Sequence, residues 1–249
     1  MDFSYMKDNY ERIRAGIDAA RARSGDREVL LVAAVKYTDA PHIDYLTRTL
    51  GVRDLGENRV QQLLDHWETV DRTGVRFHFI GTLQTNKVKY IIDKVTMIHS
   101  VDRVELAREI EKQAAKHGLT MDVLVEINSG REPNKSGVMP EDAAGFCREL
   151  LAFPHLRLRG FMTRAPRCED PEGSRKFFRE TFRLGLDIWE KTLHNIGRPV
   201  FSMGMSESFG VAIEEGADIV RVGRALFSGG NVCSLSPVPE PPIAKENEP

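Results

Sequence analysis

The chain contains 249 residues, of which 41% are hydrophobic and 29% charged, and its formal net charge is -2. This composition is ordinary for a globular protein that can bury one large core or two small ones. The near balance of charges argues against nucleic acid or an anionic membrane as a partner. The three cysteines, Cys147, Cys168 and Cys233, have neither metal-ligand spacing nor the density of a disulfide framework.

The start of the chain is not typical of an exported or membrane protein. Residues 1–8 lack the apolar core of a signal peptide, and no apolar run approaches the length that spans a membrane. We therefore expect a cytoplasmic protein. A monomer is the simplest prediction, because the sequence shows no surface patch that indicates a partner copy.

Helix and strand signals alternate regularly along the chain. Before the first strand, apolar residues recur at helical spacing and Gly25 follows as a stop signal, which predicts an N-terminal helix. Eight short apolar runs then have the composition of buried strands. They span residues 29–35, 52–55, 77–81, 96–100, 122–128, 156–163, 200–205 and 218–223.

The segments between these strands carry signals of helix boundaries. Pro41 stands where a first helical turn would begin, and Asp102 with Glu105 three residues later predicts a capping box. Gly118 predicts the end of that helix, and Phe153-Pro154 predicts the end of the next one. Helices are therefore expected between the strands.

Eight strand–helix units with no break in composition predict one closed (β/α)8 barrel of the TIM type over residues 1–230, with an extra N-terminal helix. A doubly wound open sheet is the alternative. Such a sheet normally has a glycine-rich turn after its first strand, whereas this chain has Lys36-Tyr37-Thr38-Asp39 there. Residues 231–249 are rich in proline and acidic residues, which predicts a flexible tail.

A lysine directly follows the first predicted strand. Long amines normally lie on solvated faces, but the rim of an apolar core disfavours the charged form and makes a neutral, nucleophilic amine available. Lys36 in that setting could form a Schiff base with an aldehyde. A surface lysine one residue past a strand is the alternative, and the position alone does not decide between them.

The ends of the seventh and eighth strands predict an anion site. In TIM-type barrels the chemistry lies at the C-terminal ends of the strands, and the last two loops often bind phosphate. Ser206 is predicted to cap the helix after strand seven, where free N–H groups and the helix dipole favour an anion. Gly223 ends strand eight and would let the backbone approach a ligand. The alternative is a capped helix and a packing glycine.

An amine on strand one and a phosphate cradle on strands seven and eight suit a phosphorylated aldehyde, and pyridoxal 5′-phosphate (PLP) is the candidate. Arg221, near the end of strand eight, adds a constraint. A guanidinium stays protonated, so it can donate a hydrogen bond to the pyridine nitrogen without giving up a proton. That arrangement keeps the ring neutral and weakens it as an electron sink.

The sequence resembles the pyridoxal phosphate homeostasis protein family, whose members look like the N-terminal barrel domain of alanine racemase standing alone. The resemblance extends from the first helix to about Phe227 and rests on motifs in a fixed order. These are Leu31-Val32-Ala33-Ala34-Val35-Lys36, Gly56-Glu57-Asn58, His78-Phe79-Ile80-Gly81-Thr82-Leu83-Gln84-Thr85-Asn86-Lys87, Lys135-Ser136-Gly137, Leu158-Arg159-Gly160-Phe161-Met162, Gly204-Met205-Ser206 and Arg221-Val222-Gly223.

The resemblance implies a role for six residues. It implies that Lys36 carries PLP as a Schiff base, with Asn58 near the ring or its substituents. It also implies Ser206, beside Met205, and Gly223 at the phosphate, and Arg221 at the pyridine nitrogen. Members of the family are regarded as carriers or regulators that balance vitamin B6 and amino- or keto-acid pools, without an established turnover reaction. PLP-dependent apo-enzymes are then candidate partners.

The chain departs from the commonest family pattern around the lysine. Val35 and Tyr37 flank Lys36 where many members have serine and threonine, and Thr38 stands where some have a second lysine. We expect the Schiff-base role to be kept, whereas a relay through a neighbouring amine is not expected. Tyr37 either contacts the cofactor or packs beside the barrel mouth.

Other polar residues near the predicted mouth have two interpretations each. Gln84, Asn86 and Lys87 either contact a ligand or cap a helix, and the segment 135–137 is either a lid or a solvated turn. Glu57 is a candidate proton acceptor or a structural residue at the strand–helix corner. His78 is predicted to be a hydrogen-bonded core histidine, and the seven histidines have no metal-binding spacing.

Two enzymatic functions compete with a non-catalytic carrier. A PLP-dependent amino-acid racemase needs an acid or base on each side of the substrate α-carbon, and Lys36 could serve one face. In alanine racemases the opposite tyrosine comes from a further C-terminal domain, which we do not expect in this chain. A barrel enzyme that uses Lys36 as an aldolase-type amine is the third hypothesis, and it has no evident acid–base partner beyond Glu57.

Overall fold

Eight parallel strands close into a barrel in the computed structural model, which describes residues 2–36, 38–192 and 197–229. The strands are β1 (Leu30–Ala34), β2 (Asp54–Glu57), β3 (Arg76–Phe79), β4 (Met97–Val101), β5 (Met121–Ile127), β6 (Leu156–Thr163), β7 (Val200–Ser202) and β8 (Ile219–Val222). Each pairs with the next, and β1 pairs with β8 to close the ring. The predicted closed barrel is confirmed, and the open doubly wound sheet is excluded.

Helices connect the strands on the outside of the barrel. They are α1 (Ser4–Arg23), α2 (Ala40–Asp44), α3 (Val60–Thr69), α4 (Val104–Lys116), α5 (Ala143–Leu150), α6 (Arg175–Thr192), α7 (Phe209–Glu214) and α8 (Arg224–Phe227). A π-helical turn, Tyr45–Thr49, continues α2, and short 3-10 helices at Thr85–Tyr90 and Pro171–Ser174 follow β3 and precede α6. The predicted N-terminal helix is α1, and the side-chain amide of Asn9 ties it to the carbonyls of Leu226 and Ser228.

Two helix boundaries test the capping predictions. Asp39 caps α2 by accepting from the backbone N–H of His42 at 3.1 Å, and the proline of the first turn lies where expected. The capping box at Asp102 is wrong, because α4 begins at Val104 and receives no side-chain cap. The Asp102 carboxylate instead contacts the Arg103 guanidinium at 2.6 Å and accepts from the backbone N–H of Gly137 at 3.4 Å.

The predicted bounds of the second strand differ from the observed bounds by two residues at each end. The apolar run 52–55 predicts it too early, since β2 is Asp54–Glu57 and carries a buried carboxylate at each end. Buried acidic residues do not register in an apolarity pattern, so the polar half of the strand was missed. The sixth strand, by contrast, has the predicted bounds.

The barrel has an outer and an inner layer of apolar side chains. The outer layer fills the space between strands and helices and contains most of the large buried side chains, such as Phe77, Phe161 and Phe201. A separate set of buried residues stands apart from it and alternates along the strands with outer-core neighbours, which places it inside the barrel. These inner residues are Val32, Ile80, Leu124, Met162 and Ile219.

Charged residues lie above the inner apolar layer, at the C-terminal rim of the barrel. Two residues beyond Leu124, Met162 and Ile219 stand Glu126, Arg164 and Arg221, in that order, with Arg164 one residue past the end of β6. Because side chains two apart on a strand share a face, these charged groups lie above the apolar layer, at the barrel mouth. The fold thus gathers charges from β5, β6 and β8 at one rim.

Some predictions from the sequence concern residues that the structure does not describe. Tyr37 and the predicted tail, residues 231–249, lie outside the described residues, so the domain boundary stays a prediction. Within the described residues, no helix combines the length and apolarity needed to cross a bilayer. The monomeric state and the cytoplasmic location stay predictions as well.

Candidate functional site at the barrel mouth

Lys36 lies at the rim, two residues beyond the end of β1. The residue is exposed rather than enclosed by the core. Thr38, by contrast, is buried, and its backbone carbonyl accepts a hydrogen bond from His66 Nε2 at 2.8 Å. The loop that carries the lysine is therefore fastened to α3 through His66, while Lys36 itself is exposed to solvent.

His66 and Glu57 form a buried pair behind this loop. His66 Nδ1 lies 2.5 Å from Glu57 Oε1, and Glu57 is fully buried at the end of β2. Burial raises the pKa of Glu57, opposed in part by the hydrogen bond from His66. Burial alone would lower the pKa of His66, but the hydrogen bond to Glu57 and its charge raise it above the ordinary value. Since the Thr38 carbonyl can only accept, Nε2 donates, and the two side chains share the proton at Nδ1.

The geometry gives Glu57 a structural contact, one of the two interpretations considered for it. Sequence reasoning missed His66, whose only signal was its position three residues after Leu63 on the buried face of α3. The second oxygen of Glu57, Oε2, is buried and has no hydrogen-bond partner within the described part of the chain.

Asn58 follows β2 and presents an unsatisfied acceptor. Its Oδ1 atom is buried and has no partner among the residues that the structure describes. Gly81 packs directly against its backbone, since a Cβ atom built there would stand 2.0 Å from the Asn58 carbonyl oxygen. Buried polar atoms are nearly always hydrogen-bonded, so this acceptor calls for a donor from a ligand or from water.

Arg221 is a buried cation on β8, the strand that pairs with β1. Its guanidinium donates twice to Ser202, to the backbone carbonyl and to Oγ, both at 2.6 Å, and once to the carbonyl of Thr163 at 2.8 Å. A guanidinium has five N–H groups, so two of them have no acceptor among the residues that the structure describes. Burial and then the positive charge of Arg164 lower the pKa of Arg221 to about 10, which still leaves it a cation at neutral pH.

A second polar cluster joins the loop after β5 to residues that follow β3 and the neighbouring strand β6. Arg164 donates to Glu126 Oε1 from Nε at 2.9 Å and to Ser136 Oγ from Nη2 at 2.6 Å. Ser136 Oγ in turn donates to Glu126 Oε1 at 3.1 Å and lies 3.3 Å from the hydroxyl of Thr82. The loop containing Lys135 is thus fastened to the rim through Ser136, and its role as a lid or as a solvated turn stays a prediction. Sequence reasoning did not find Glu126.

Ser206 and Gly223 meet at the start of α8. The prediction that Ser206 caps the next helix is wrong, because α7 begins at Phe209 and Ser208 precedes it. Ser206 Oγ instead accepts from the backbone N–H of Ala225 at 3.2 Å, in the first turn of α8, so its own proton is left to donate. Gly223 immediately precedes that helix.

Two further residues of this corner have contacts of their own. A Cβ atom at Gly223 would stand 2.7 Å from the Ala34 carbonyl oxygen, so close packing of β8 on β1 already requires a glycine. Met205 is 43% exposed, and its backbone N–H donates to Ser208 Oγ at 3.3 Å. The packing-glycine alternative therefore has direct support, alongside the shared location of Ser206 and Gly223.

The remaining polar candidates lie apart from this constellation. Gln84 precedes the 3-10 helix at Thr85–Tyr90 without a side-chain capping hydrogen bond, so helix capping does not explain it. His78 is buried and hydrogen-bonded on both ring nitrogens, as predicted for a core histidine. Within the described ranges, no three His, Cys, Asp or Glu side chains are placed to hold a metal ion.

The comparisons with known proteins agree on one family. The family described as alanine racemase, N-terminal domain, matches residues 9–230. A pyridoxal phosphate homeostasis protein from Aquifex aeolicus is 42% identical over 217 residues, which are 87% of this chain and 93% of that protein. The chain belongs to the pyridoxal phosphate homeostasis protein family. Another member, from Pseudomonas aeruginosa, is 32% identical over 90% of this chain and 95% of its own length.

Solved structures support the same assignment. PipY of Synechococcus elongatus, whose structure has PLP bound, matches with a TM-score of 0.77 and 25% identity over 89% of this chain and 99% of PipY. An alanine racemase from Clostridium difficile matches with a TM-score of 0.65 at 18% identity, with 56% of that chain covered, and shows the shared fold alone. The family and the barrel type predicted from the sequence are both confirmed.

The side chains at the mouth of this pyridoxal phosphate homeostasis family member fit the groups of PLP chemically. Lys36 offers an amine for an aldehyde, and the buried Asn58 Oδ1 has no donor in the described part of the chain. Arg221 has two unused N–H groups for an acceptor such as a pyridine nitrogen, and the Ser206 hydroxyl proton is available to a phosphate oxygen. These groups come from strands β1, β2, β7 and β8 or the loops that follow them.

Proposed function

We propose that this protein binds PLP through a Schiff base at Lys36 and holds it for exchange with the cell's pool, without turning over a substrate. The observation that carries this proposal is Arg221, a buried guanidinium on the strand paired with that of Lys36. The names of the family members and the PLP bound to PipY point to the same cofactor. The proposal extends to a role in balancing PLP and amino- or keto-acid pools, with PLP-dependent apo-enzymes as recipients.

Each residue at the mouth has a part in this function. The Lys36 amine would attack the aldehyde, and its exposure lets free PLP and acceptors reach it. Ser206 and the N–H groups at the start of α8 would hold the phosphate, with Met205 and Gly223 shaping that corner. Asn58, whose Oδ1 is unsatisfied, would accept a hydrogen bond from a ring substituent.

Arg221 supports holding rather than turnover. PLP supplies an aldehyde that reacts with amines and a pyridine ring that withdraws electrons from the attached carbon, most strongly when its nitrogen is protonated. Arg221 remains a cation at neutral pH even though burial lowers its pKa to about 10. It would therefore donate a hydrogen bond to the ring nitrogen without protonating it, and the ring stays a weak electron sink.

Reduction with borohydride tests the assignment of the lysine. Purified protein incubated with PLP should show an absorbance band in the near-visible range, and borohydride should bleach it and leave a labelled peptide containing Lys36. Lys36→Ala should lose both signals. Lys112→Ala, the same substitution at an exposed lysine on α4, is the matched control and should keep both. Retention of the band and of covalent labelling in Lys36→Ala would show that the lysine assignment is wrong.

Isotope exchange tests the absence of turnover. Alanine and serine deuterated at the α-carbon, incubated with the PLP-loaded protein, should keep their deuterium when followed by NMR. Exchange at the rates of a working enzyme would favour the racemase hypothesis. Purified protein that takes up no PLP would instead favour the aldolase-type barrel enzyme.

A further inference from the structure

A continuous line of buried hydrogen bonds crosses the barrel interior and ends on Arg221. Asp54 Oδ1 lies 2.9 Å from His78 Nε2, and His78 Nδ1 lies 3.0 Å from His99 Nε2. His99 Nδ1 is 3.0 Å from Ser202 Oγ, which lies 2.6 Å from Arg221 Nη1. The five residues come from β2, β3, β4, β7 and β8, and all are buried. None of the functional roles proposed above uses Asp54, His78 or His99.

Asp54, at one end of the line, determines which atom donates in the first hydrogen bond. Burial alone would raise the pKa of Asp54, but hydrogen bonds from His78 and Arg76 bring it below the ordinary value. Arg76 Nε donates to the same carboxylate at 2.7 Å. An ionised carboxylate can only accept, so His78 Nε2 carries a proton and donates it to Asp54.

The remaining directions follow one from the other. Where Nε2 carries the only ring proton of His78, Nδ1 accepts, so His99 donates from its own Nε2. A neutral His99 then accepts at Nδ1 from the Ser202 hydroxyl, and the Ser202 oxygen accepts from Arg221. The complete burial of His99, the largest cause, holds its pKa well below the ordinary value, which agrees with a neutral ring.

We propose that His99, acting through Ser202 and backed by His78 and Asp54, is a positioning residue for Arg221. The line of hydrogen bonds orients the Ser202 hydroxyl so that its oxygen accepts from Arg221. One edge of the guanidinium is thereby hydrogen-bonded to the barrel wall, and the two N–H groups without an acceptor among the described residues point in a defined direction. The Ser202 and Thr163 carbonyls complete that anchor. This inference rests on the proposed function in one respect, namely that Arg221 faces the bound cofactor.

The tautomers of the two histidines test the line without any cofactor. Nitrogen-15 NMR of the PLP-free protein at pH 8, with signals assigned from His78→Gln and His99→Asn, reports which ring nitrogen carries the proton. Both rings should be protonated on Nε2 and bare on Nδ1. A proton on Nδ1 of either ring, or on both nitrogens of His78, would break the chain of donors and overturn the proposal, whether or not PLP binds.

Two substitutions at His99 test the effect on Arg221. In His99→Asn the amide oxygen can replace Nδ1 as the acceptor for Ser202, whereas His99→Leu cannot accept a hydrogen bond. We expect PLP affinity to fall about tenfold in the leucine variant and to be largely restored in the asparagine variant, with borohydride labelling of Lys36 intact in both. Equal losses in the two variants would mean that His99 acts by packing alone and would contradict the proposal. Loss of labelling in the wild-type protein would refute the proposed function instead, while the tautomers would still decide this inference.

Discussion

Replacing His66 should destabilise the protein and loosen the loop that carries Lys36. His66→Ala removes the partner of a fully buried carboxylate, Glu57, and leaves the Thr38 carbonyl without its donor. Breaking a buried pair by removing one member costs about 3–5 kcal/mol of unfolding free energy. The same variant should bind PLP more weakly, because the lysine loop loses its attachment to α3.

The pH dependence of this pair gives a sharper test. The pKa values of Glu57 and His66 are both raised in the folded state, so the folded pair keeps a proton that the unfolded chain releases above about pH 6.5. The part that His66 contributes is therefore complete below that pH and is lost as the pH rises through its folded pKa, whereas the part that Glu57 contributes is lost from about pH 4.5 upwards. In Glu57→Gln the carboxyl no longer titrates and the anion that raises the His66 pKa is gone. The stability advantage of the wild type over this variant should shrink above pH 6.5, by at most about 1.4 kcal/mol per pH unit.

Urea denaturation at several pH values between 6 and 9 measures both effects. The control is Glu68→Gln, the same substitution on the exposed side of α3. It should change the unfolding free energy by no more than about 0.5 kcal/mol, with no pH trend relative to the wild type. A loss below about 1 kcal/mol in His66→Ala, or a wild-type advantage over Glu57→Gln that stays constant with pH, would refute the shared-proton description of the pair.

Glycine substitutions test how closely the barrel is packed. Gly81→Ala should weaken PLP binding at least tenfold in a spectroscopic titration, because its Cβ atom would stand 2.0 Å from the Asn58 carbonyl oxygen and displace that residue. Unchanged affinity would show that Asn58 does not contact the cofactor. Gly185→Ala, whose Cβ atom would lie 2.5 Å from the Phe201 ring, should lower the unfolding free energy by about 1–3 kcal/mol. Gly145→Ala, on a helix with open space around it, should instead raise it by about 0.5–1 kcal/mol, and a loss there would contradict the packing argument.

The barrel could be predicted from the sequence because its signal is local and repeated. Each apolar run and each helix stop signal is readable within about ten residues, and the eightfold alternation leaves few topologies open. Lys36 and Arg221 could be found for the same reason, since each stands at the end of a recognisable strand. The residues that hold Lys36 and Arg221 in place could not be predicted in this way, because their partners are distant in the sequence. His99 is hydrogen-bonded to Ser202, 103 residues away in the sequence, and His66 is hydrogen-bonded to the Thr38 carbonyl, 28 residues away.

Two of the buried polar atoms without a hydrogen-bond partner among the described residues lie at the mouth of the barrel. Along the interior line from Asp54 to Arg221, each residue is hydrogen-bonded to the next one. At the rim, by contrast, Asn58 Oδ1 and Glu126 Oε2 are buried acceptors without a partner among the described residues. A buried acceptor left without any donor costs about 1–3 kcal/mol. A ligand that donates to these atoms recovers part of that cost on binding, and occupancy of the mouth should therefore stabilise the whole barrel against unfolding.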